Sequence, residues 1–555
     1  MPHPLLDTHR PLLDRALQAI ATRGYWAAFA ESPSPKAYGE DAPEAGRAAF
    51  EAHLGKPFEL GQPGQCGWHE DETSPYGMPL GIRYPQSDPQ ALVQAALAAM
   101  PAWQALGAEG RTGICLEILQ RLNRQSFEIA HAVMMTSGQG WMMAFQAGGP
   151  HAQDRGLEAV AYAWREMSFI PAEATWEKPQ GKHPALVMRK HYEIVGRGVG
   201  VVIGCATFPT WNTYPGLFAA LVTGNPVILK PHGNVVLPAA ITVRTIRAVL
   251  AENGLDPDLV TLCLPPDHET AHALYTHPEV RSIDYTGGNV FGQWLLDNCR
   301  QAQVYAELAG VNSIVIDSTD DYAGMLRNLA FTLSLYSGQM CTTSQAIVIP
   351  AQGIDTDQGR KSFDQVGQDL AQAIERFLEK PETALAVLGA IQSDATLARI
   401  DEAAGGGMGQ VVLAPKALHY EAFPQARART PALLACDARD SGHYAREQFG
   451  PISFLVRADD TDAALALAED LARRHGALTL AVYSTRDAVL DAAVRMSWRA
   501  KVALSINLTG GVFVNQSAAF SDFHGTGGNP AANASYADSA FVANRFRVVQ
   551  RRRHA

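Results

Sequence analysis

A chain of 555 residues exceeds what one hydrophobic core serves, so two or three packed units are expected. Its 47% hydrophobic and 18% charged content is that of an ordinary globular protein, and a net charge of −11 excludes nucleic acid or an anionic membrane as the main partner. Seven scattered cysteines (66, 115, 205, 263, 299, 341 and 436) suit no disulfide framework and point to a reducing, cytoplasmic setting, while no apolar run reaches membrane-spanning length and Asp7, Arg10 and Asp14 interrupt the start where a signal peptide would be apolar.

In chain order, residues 1–85 read as an extension with a helix around Pro11 to Arg23, then loops through Gly61-Gln62-Pro63-Gly64. Gln65-Cys66-Gly67-Trp68-His69 has the outline of a cysteine-protease nucleophile or half a metal site. A single Cys-x-x-His leaves a zinc ion two ligands short, so a structural role and no metal are expected. From Asp88, an N-cap followed by Pro89, the residues Leu92, Ala96, Met100 and Trp103 repeat at helical spacing. Cys115, Leu119 and Leu122 share a second helical face, and Phe127, Ala130 and Met134 a third before Gly138. Ala185 to Val195 is an extended run suited to a hairpin or an interdomain link.

After Gly196, short apolar strands alternate with helices: Val199–Ile203, Pro226–Leu229, Leu259–Leu264, Val280–Tyr285 and Gln303–Leu308. Such alternation implies right-handed crossovers and an open parallel sheet, whose ligands lie beyond the carboxyl ends of the strands. Lys230-Pro231-His232-Gly233-Asn234 follows one strand and sets a cation and free amides where a phosphate or ribose could sit. Tyr285-Thr286-Gly287-Gly288-Asn289-Val290-Phe291-Gly292 leaves another strand and enters a helix, with glycines that permit close approach to a pyrophosphate. No Lys-Ser/Thr follows Gly292, so it is not a Walker loop, and Gly196-Arg197-Gly198-Val199-Gly200 precedes its strand and lacks the third glycine of a Rossmann turn.

A second strand–helix alternation occupies about 310–515, with Gly405-Gly406-Gly407 as a turn. Within it, Tyr336-Ser337-Gly338-Gln339-Met340-Cys341 follows an amphipathic helix expected over Tyr322 to Tyr336, and Thr342, Thr343 and Ser344 come after. A thiol there is a candidate nucleophile, because a thiolate reacts only where it is partly exposed and held by backbone donors or dipoles.

Taken together, five ordered motifs resemble the aldehyde dehydrogenase family from about residue 88 onward. They are Lys230 in its strand–loop segment, Thr286-Gly287 to Gly292, Glu307-Leu308-Ala309-Gly310, Gly338-Gln339-Met340-Cys341 and Glu447-Gln448-Phe449-Gly450-Pro451. The 34-position separation of Glu307 and Cys341 fits the family pattern. The resemblance implies two doubly wound open α/β domains plus a small β oligomerisation arm. The division it implies is an extension at 1–85, a cofactor-binding domain at 86–178 and 196–309, a catalytic domain at 310–515, and an arm at 179–195 and 530–555. It further implies that Cys341 attacks an aldehyde, that Glu307 is the general base for thioester hydrolysis, that Lys230 binds the adenosine ribose, that the Gly287–Gly292 loop approaches the pyrophosphate, that Glu447 accepts from the nicotinamide ribose, and that Phe449 packs beside the ring.

Two departures from the family pattern stand out. Thr207-Phe208-Pro209 replaces the usual asparagine that holds the oxyanion, leaving Thr207, Asn212 or the Cys341 amide to do so. Gly233 replaces the usual acid after Lys230, and with His232 beside it the pattern leans toward NADP over NAD. The extension and Phe520-Ser521-Asp522-Phe523-His524-Gly525-Thr526-Gly527-Gly528-Asn529 look most like a phenylacetic acid degradation branch of the family, which implies a CoA-linked semialdehyde from aromatic ring opening. A CoA-acylating dehydrogenase and a weakly catalytic binding protein are the alternatives, and a homodimer or dimer of dimers is expected.

Overall fold

The computed structural model describes residues 4–555. Its extension is more ordered than its sequence suggests. Helix Pro4–Thr22 starts two turns before the expected position and buries Leu6, Leu13, Ala16 and Ile20. These residues join one core with Ile114, Ile118, Leu157 and Val160 of the helices Gly107–Arg124 and Pro150–Ser168. The packing is close enough that a Cβ on Gly113 would come within 2.6 Å of the Leu6 amide nitrogen. An unanticipated helix, Ala42–Glu51, and the antiparallel pair Gln65–His69 and Tyr84–Ser87 complete the extension.

Asp88 caps helix Pro89–Ala105 by accepting from the Gln90 amide, as expected from its place before proline. The first sheet then runs in the order Val260–Leu262, Val227–Lys230, Val199–Ile203, Val280–Thr286 and Gln303–Glu307, all parallel. Strand order reverses at Val199–Ile203, so the crevice beyond the carboxyl ends of Val199–Ile203 and Val280–Thr286 is where a doubly wound sheet binds ligands. The expected strand Leu259–Leu264 shrinks to three residues because Asp256 caps a short 3-10 turn at Pro257–Leu259.

The second sheet has seven strands, ordered Gln410–Leu413, Ala432–Asp437, Ile452–Ala458, Ser344–Pro350, Asn312–Ile316, Thr479–Tyr483 and Ala503–Ile506. Only Gln410–Leu413 runs antiparallel. Two apolar layers cover its faces, one built around Val315, Val348 and Leu480, the other around Ile314, Ile347 and Leu329.

A third, antiparallel sheet joins Glu173–Gln180, His183–Gly196 and Phe546–His554. The alternation seen over Phe541 to Val549 is split: Asp538 accepts from the Phe541 amide and starts a helix at Ser539–Ala543, so the strand begins only at Phe546. Between them, Arg545 forks onto Asp284 of the first sheet at 2.8 and 2.6 Å, with both side chains buried. Replacing Arg545 with methionine leaves that carboxylate buried without its partner. Urea unfolding of the variant is expected to show a loss of about 3–5 kcal/mol; a loss under about 1 kcal/mol would mean that Asp284 finds water or a proton instead.

Candidate active site

The cleft lies between the carboxyl ends of the first sheet and the second unit. Of the residues nominated from sequence, Thr207, His232, Thr286, Gly287, Gly288, Glu307, Cys341, Glu447 and Phe449 line it together, and Lys230, Gly233 and Gly292 do not. Lys230 ends its strand, with burial holding its ammonium below the usual lysine range. Gly292 lies in the first turn of helix Asn289–Asn298, where a Cβ would strike Leu308, so it sets helix–strand spacing.

Cys341 is held by a turn with little freedom. The helix before it runs Tyr322–Ser334 and stops short of the expected Tyr336, because Tyr336, Ser337 and Gly338 all take positive φ (51°, 47° and 63°). A non-glycine side chain at 338 would meet the Gly450 carbonyl, so this position needs glycine sterically as well as conformationally. The strained pair is pinned by the Tyr336 hydroxyl donating to the Ser137 carbonyl at 2.5 Å and the Ser337 hydroxyl to Leu388 at 3.0 Å. Asn312 donates to the Cys341 and Thr343 carbonyls at 2.8 and 3.0 Å, and Thr342 to the Asn515 carbonyl at 2.7 Å. The Cys341 thiol thus sits on a fixed backbone, partly exposed to the cleft.

Glu307 ends its strand, paired with Thr286, and its carbonyl accepts from the Gly287 amide at 3.0 Å. The general-base candidate and the glycine turn are therefore one hydrogen-bonded unit. Across the strand edge, Leu308 donates to the Ala531 carbonyl at 2.7 Å and Asn533 brackets Ala306. This C-terminal segment carries a residue that the sequence reading quoted but gave no role: the His524 Nε2 lies 3.2 Å from Glu307 Oε2 and 3.7 Å from the Cys341 sulfur. Sulfur, ring nitrogen and carboxylate oxygen all fall within 4.8 Å of one another. Metal sites use the same donor types, but here the ring already bonds the carboxylate.

The electrostatics follow from burial. Burial and then the Glu307 charge push the Cys341 thiol well above its ordinary range. Burial would also raise Glu307, yet the charge and hydrogen bond of His524 outweigh it and hold the carboxyl below the usual glutamate range. Glu447 is pushed up to about 7, mainly by burial, against the Gly310 amide and Arg399, which favour its charged form.

Two residues lining the cleft each carry a buried polar atom without a partner. Glu307 Oε1 has no hydrogen-bond partner among the described residues, and neither has the buried amide nitrogen of Asn212. The Asn212 oxygen is fixed by the Cys205 thiol at 3.5 Å, which leaves the Nδ2 as a spare donor in the cleft. Thr207 is less free: its carbonyl accepts from Gln139 at 2.7 Å and its hydroxyl bonds the Cys205 sulfur. Of the two side chains weighed from sequence as oxyanion donors, Asn212 rather than Thr207 keeps an unspent hydrogen.

The glycine turn suits a dinucleotide. Gly288 precedes the ten-residue helix Asn289–Asn298 and has open space where a Cβ would stand, while at Gly287 a Cβ would strike the Tyr285 hydroxyl. The Lys230 end of the crevice is partly roofed by the extension, since His69 Nε2 lies 2.7 Å from the Gly233 carbonyl. The Cys66–His69 pair thus splits, with Cys66 exposed and His69 on the cofactor loop. His232 accepts the Asn234 amide on Nδ1 at 3.2 Å, and packing followed by the Lys230 charge lowers its pKa, so it is neutral at pH 7 although solvent reaches it.

A model of the aldehyde dehydrogenase family matches residues 83–530. The crystal structure of an NAD-dependent aldehyde dehydrogenase from Burkholderia multivorans is 57% identical, with a TM-score of 0.98 over 100% of both chains. Among curated relatives, alpha-ketoglutaric semialdehyde dehydrogenase 2 of Azospirillum brasilense is 29% identical over 364 residues, covering 61% of this chain and 68% of that protein. The 1-pyrroline-5-carboxylate dehydrogenase of Bacillus subtilis (strain 168) is 26% identical over 337 residues, 58% of this chain and 61% of the relative.

Proposed function

This chain belongs to the aldehyde dehydrogenase family, and from that premise we propose that it oxidises a semialdehyde to its carboxylate with NAD. The observation that carries this reading is the cleft in which Cys341 and Glu307 lie within 4.8 Å of each other, beside the Gly287–Gly288 turn. The Cys341 sulfur attacks the carbonyl carbon, and the oxyanion that forms accepts a hydrogen bond from the free Asn212 amide. Bound NAD supplies the hydride acceptor. Glu307 then draws a proton from water, and the hydroxide so formed releases the acid from Cys341. Thr286 to Gly288 and the helix start behind them would hold the pyrophosphate, Glu447 the nicotinamide ribose, and Phe449 would pack beside the ring.

The unpartnered Glu307 Oε1 favours hydrolysis over transfer to coenzyme A, because a thiol acceptor needs no base held in reserve. The phenylacetate-type substrate, a CoA-linked semialdehyde, draws support from the segment Phe520–Asn529: the stretch that carries the resemblance is the one that brings His524 to Cys341. For the cofactor, Gly233 leaves room for a 2′-phosphate, with His69 the nearest group at 3.5 Å, but the 57%-identical Burkholderia multivorans enzyme is NAD-dependent. We therefore read NAD rather than NADP as the better substrate. Free cysteines throughout support a cytoplasmic setting. No single helix among the described residues is long and apolar enough to cross a membrane. The edge strands Glu173–Gln180 and Phe546–His554 expose backbone, with Val548 and Val549 outward, and suit pairing in a homodimer or dimer of dimers.

The test is absorbance of the reduced cofactor with simple and CoA-linked semialdehydes, each with NAD or NADP. Reduction without free coenzyme A is expected, with a higher kcat/KM for NAD. Reduction that requires added coenzyme A would replace the hydrolytic reading with the acylating one, and none with any aldehyde would leave a binding protein.

The oxyanion assignment gives a separate expectation. Asn212→Ala should cost about 100- to 1,000-fold in kcat, with little change in cofactor affinity, the usual effect of removing one oxyanion donor. Thr207→Val should cost far less. The reverse order in steady-state kinetics would return the role to Thr207.

A further inference from the structure

We propose that His524 is the base that takes the proton of Cys341, and that Glu307 and Ser517 hold the imidazolium so formed. This deepens the reading of Cys341 as nucleophile and rests on it. The ring is 5% exposed and meets both reactive groups on one nitrogen: Nε2 lies 3.7 Å from the thiol sulfur and 3.2 Å from Glu307 Oε2. Its Nδ1 faces the Ser517 hydroxyl at 3.5 Å. A neutral ring with its proton on Nδ1 would turn a lone pair toward the Glu307 carboxylate, and one with its proton on Nε2 could not accept from the thiol. The imidazolium satisfies the whole arrangement, donating from Nε2 toward carboxylate and sulfur and from Nδ1 to Ser517, whereas a neutral ring with its proton on Nε2 does so only with the thiol turned to Glu307. In the step itself the S–H bond breaks and an N–H bond forms at Nε2, so a thiol and a neutral ring become a thiolate and an imidazolium with no change in total charge.

The mount is built to hold this ring. Trp211 meets it edge-on at 4.6 Å and Tyr536 stacks at 6.1 Å between centroids. Arg155, fully buried, donates to the Ser517 hydroxyl at 3.1 Å and to the Asp522 and Tyr536 carbonyls at 3.0 and 3.1 Å, and its own charge is answered by Glu158 at 2.7 Å. The titratable and charged groups facing the cluster are thus Glu307, Cys341, Tyr536 and Arg155, with Cys205 and Glu447 acting on the thiol by charge. A thiol beside a carboxylate resists ionisation, and the imidazole nitrogen at 3.7 Å is the group placed to take its proton.

The test is the rate of Cys341 alkylation by iodoacetamide against pH, with neither aldehyde nor cofactor present, so it stands apart from any failure of the substrate assignment. Labelling is read at Cys341 by peptide mass spectrometry, because Cys66 is exposed. In His524→Gln the Cys341 rate at pH 7 should fall at least about tenfold, and the inflection should move to higher pH, since only the thiolate reacts. His524→Ala should behave likewise and recover rate with added imidazole. The ultraviolet thiolate absorbance lost on alkylation should appear at lower pH in the wild type than in either variant. A wild-type inflection kept in His524→Gln, with the fold verified by circular dichroism, overturns the proposal. So does a slowed His524→Ala that imidazole cannot rescue.

Discussion

Cys341→Ala is expected to abolish aldehyde-dependent reduction of the cofactor, a loss of about 10⁴- to 10⁶-fold, the scale on which removal of a nucleophile is felt. Nucleotide affinity should be unchanged, because the Thr286–Gly288 turn and Glu447 do not rely on the sulfur. The one rival thiol is Cys205, in the same cleft. Burial raises its pKa, and its hydrogen is spent on the Asn212 oxygen, so it has neither the charge nor the freedom to substitute. Cys205→Ser should accordingly keep most of the activity. Turnover that survives in Cys341→Ala and disappears only when Cys205 is also replaced would sink the assignment.

How far the sequence carries these roles depends on the length scale of each signal. The alternating strands of the first sheet are legible because each is a short apolar run ended by a turn, and the loops that follow them bear Thr286, Gly287 and Gly288. Glu307 and Cys341 are legible as members of ordered motifs, and the cleft unites them. His524 gives no such signal: it lies 183 residues beyond Cys341, and tertiary contacts such as the pairing of Leu308 with Ala531 and of Asn533 with Ala306 bring it home. The oxyanion donor illustrates a different limit. Thr207 holds the position the family pattern indicates, yet which side chain keeps a spare hydrogen depends on the neighbours each one satisfies, and those come from Gln139 and Cys205 in three dimensions. Helix Ala42–Glu51 hides among prolines and glycines, and Phe541–Val549 has an alternation that Asp538 overrides by capping a helix. In both cases a local cap or tertiary contact outweighs the periodic pattern.

Glu307→Gln is expected to separate the two halves of the reaction. The wild-type carboxyl is 2% exposed and held below the ordinary glutamate range by His524, so it is ionised at neutral pH with Oε1 free to accept a proton from water. Glutamine keeps the shape and can still accept from the ring, but it cannot take that proton. Rapid mixing of the variant with aldehyde and NAD should therefore yield a burst of about one reduced cofactor per active site, followed by a steady rate lower by about 10²- to 10⁴-fold. The acyl group should remain on Cys341 and be released by hydroxylamine. Because a lowered pKa keeps the base charged above it, wild-type hydrolysis should lose rate only as pH falls beneath the usual glutamate range, whereas the variant's residual rate should be flat there. A slow reaction without a burst would instead place the role of Glu307 before hydride transfer, as the partner of the His524 imidazolium alone, and would require another base for the water.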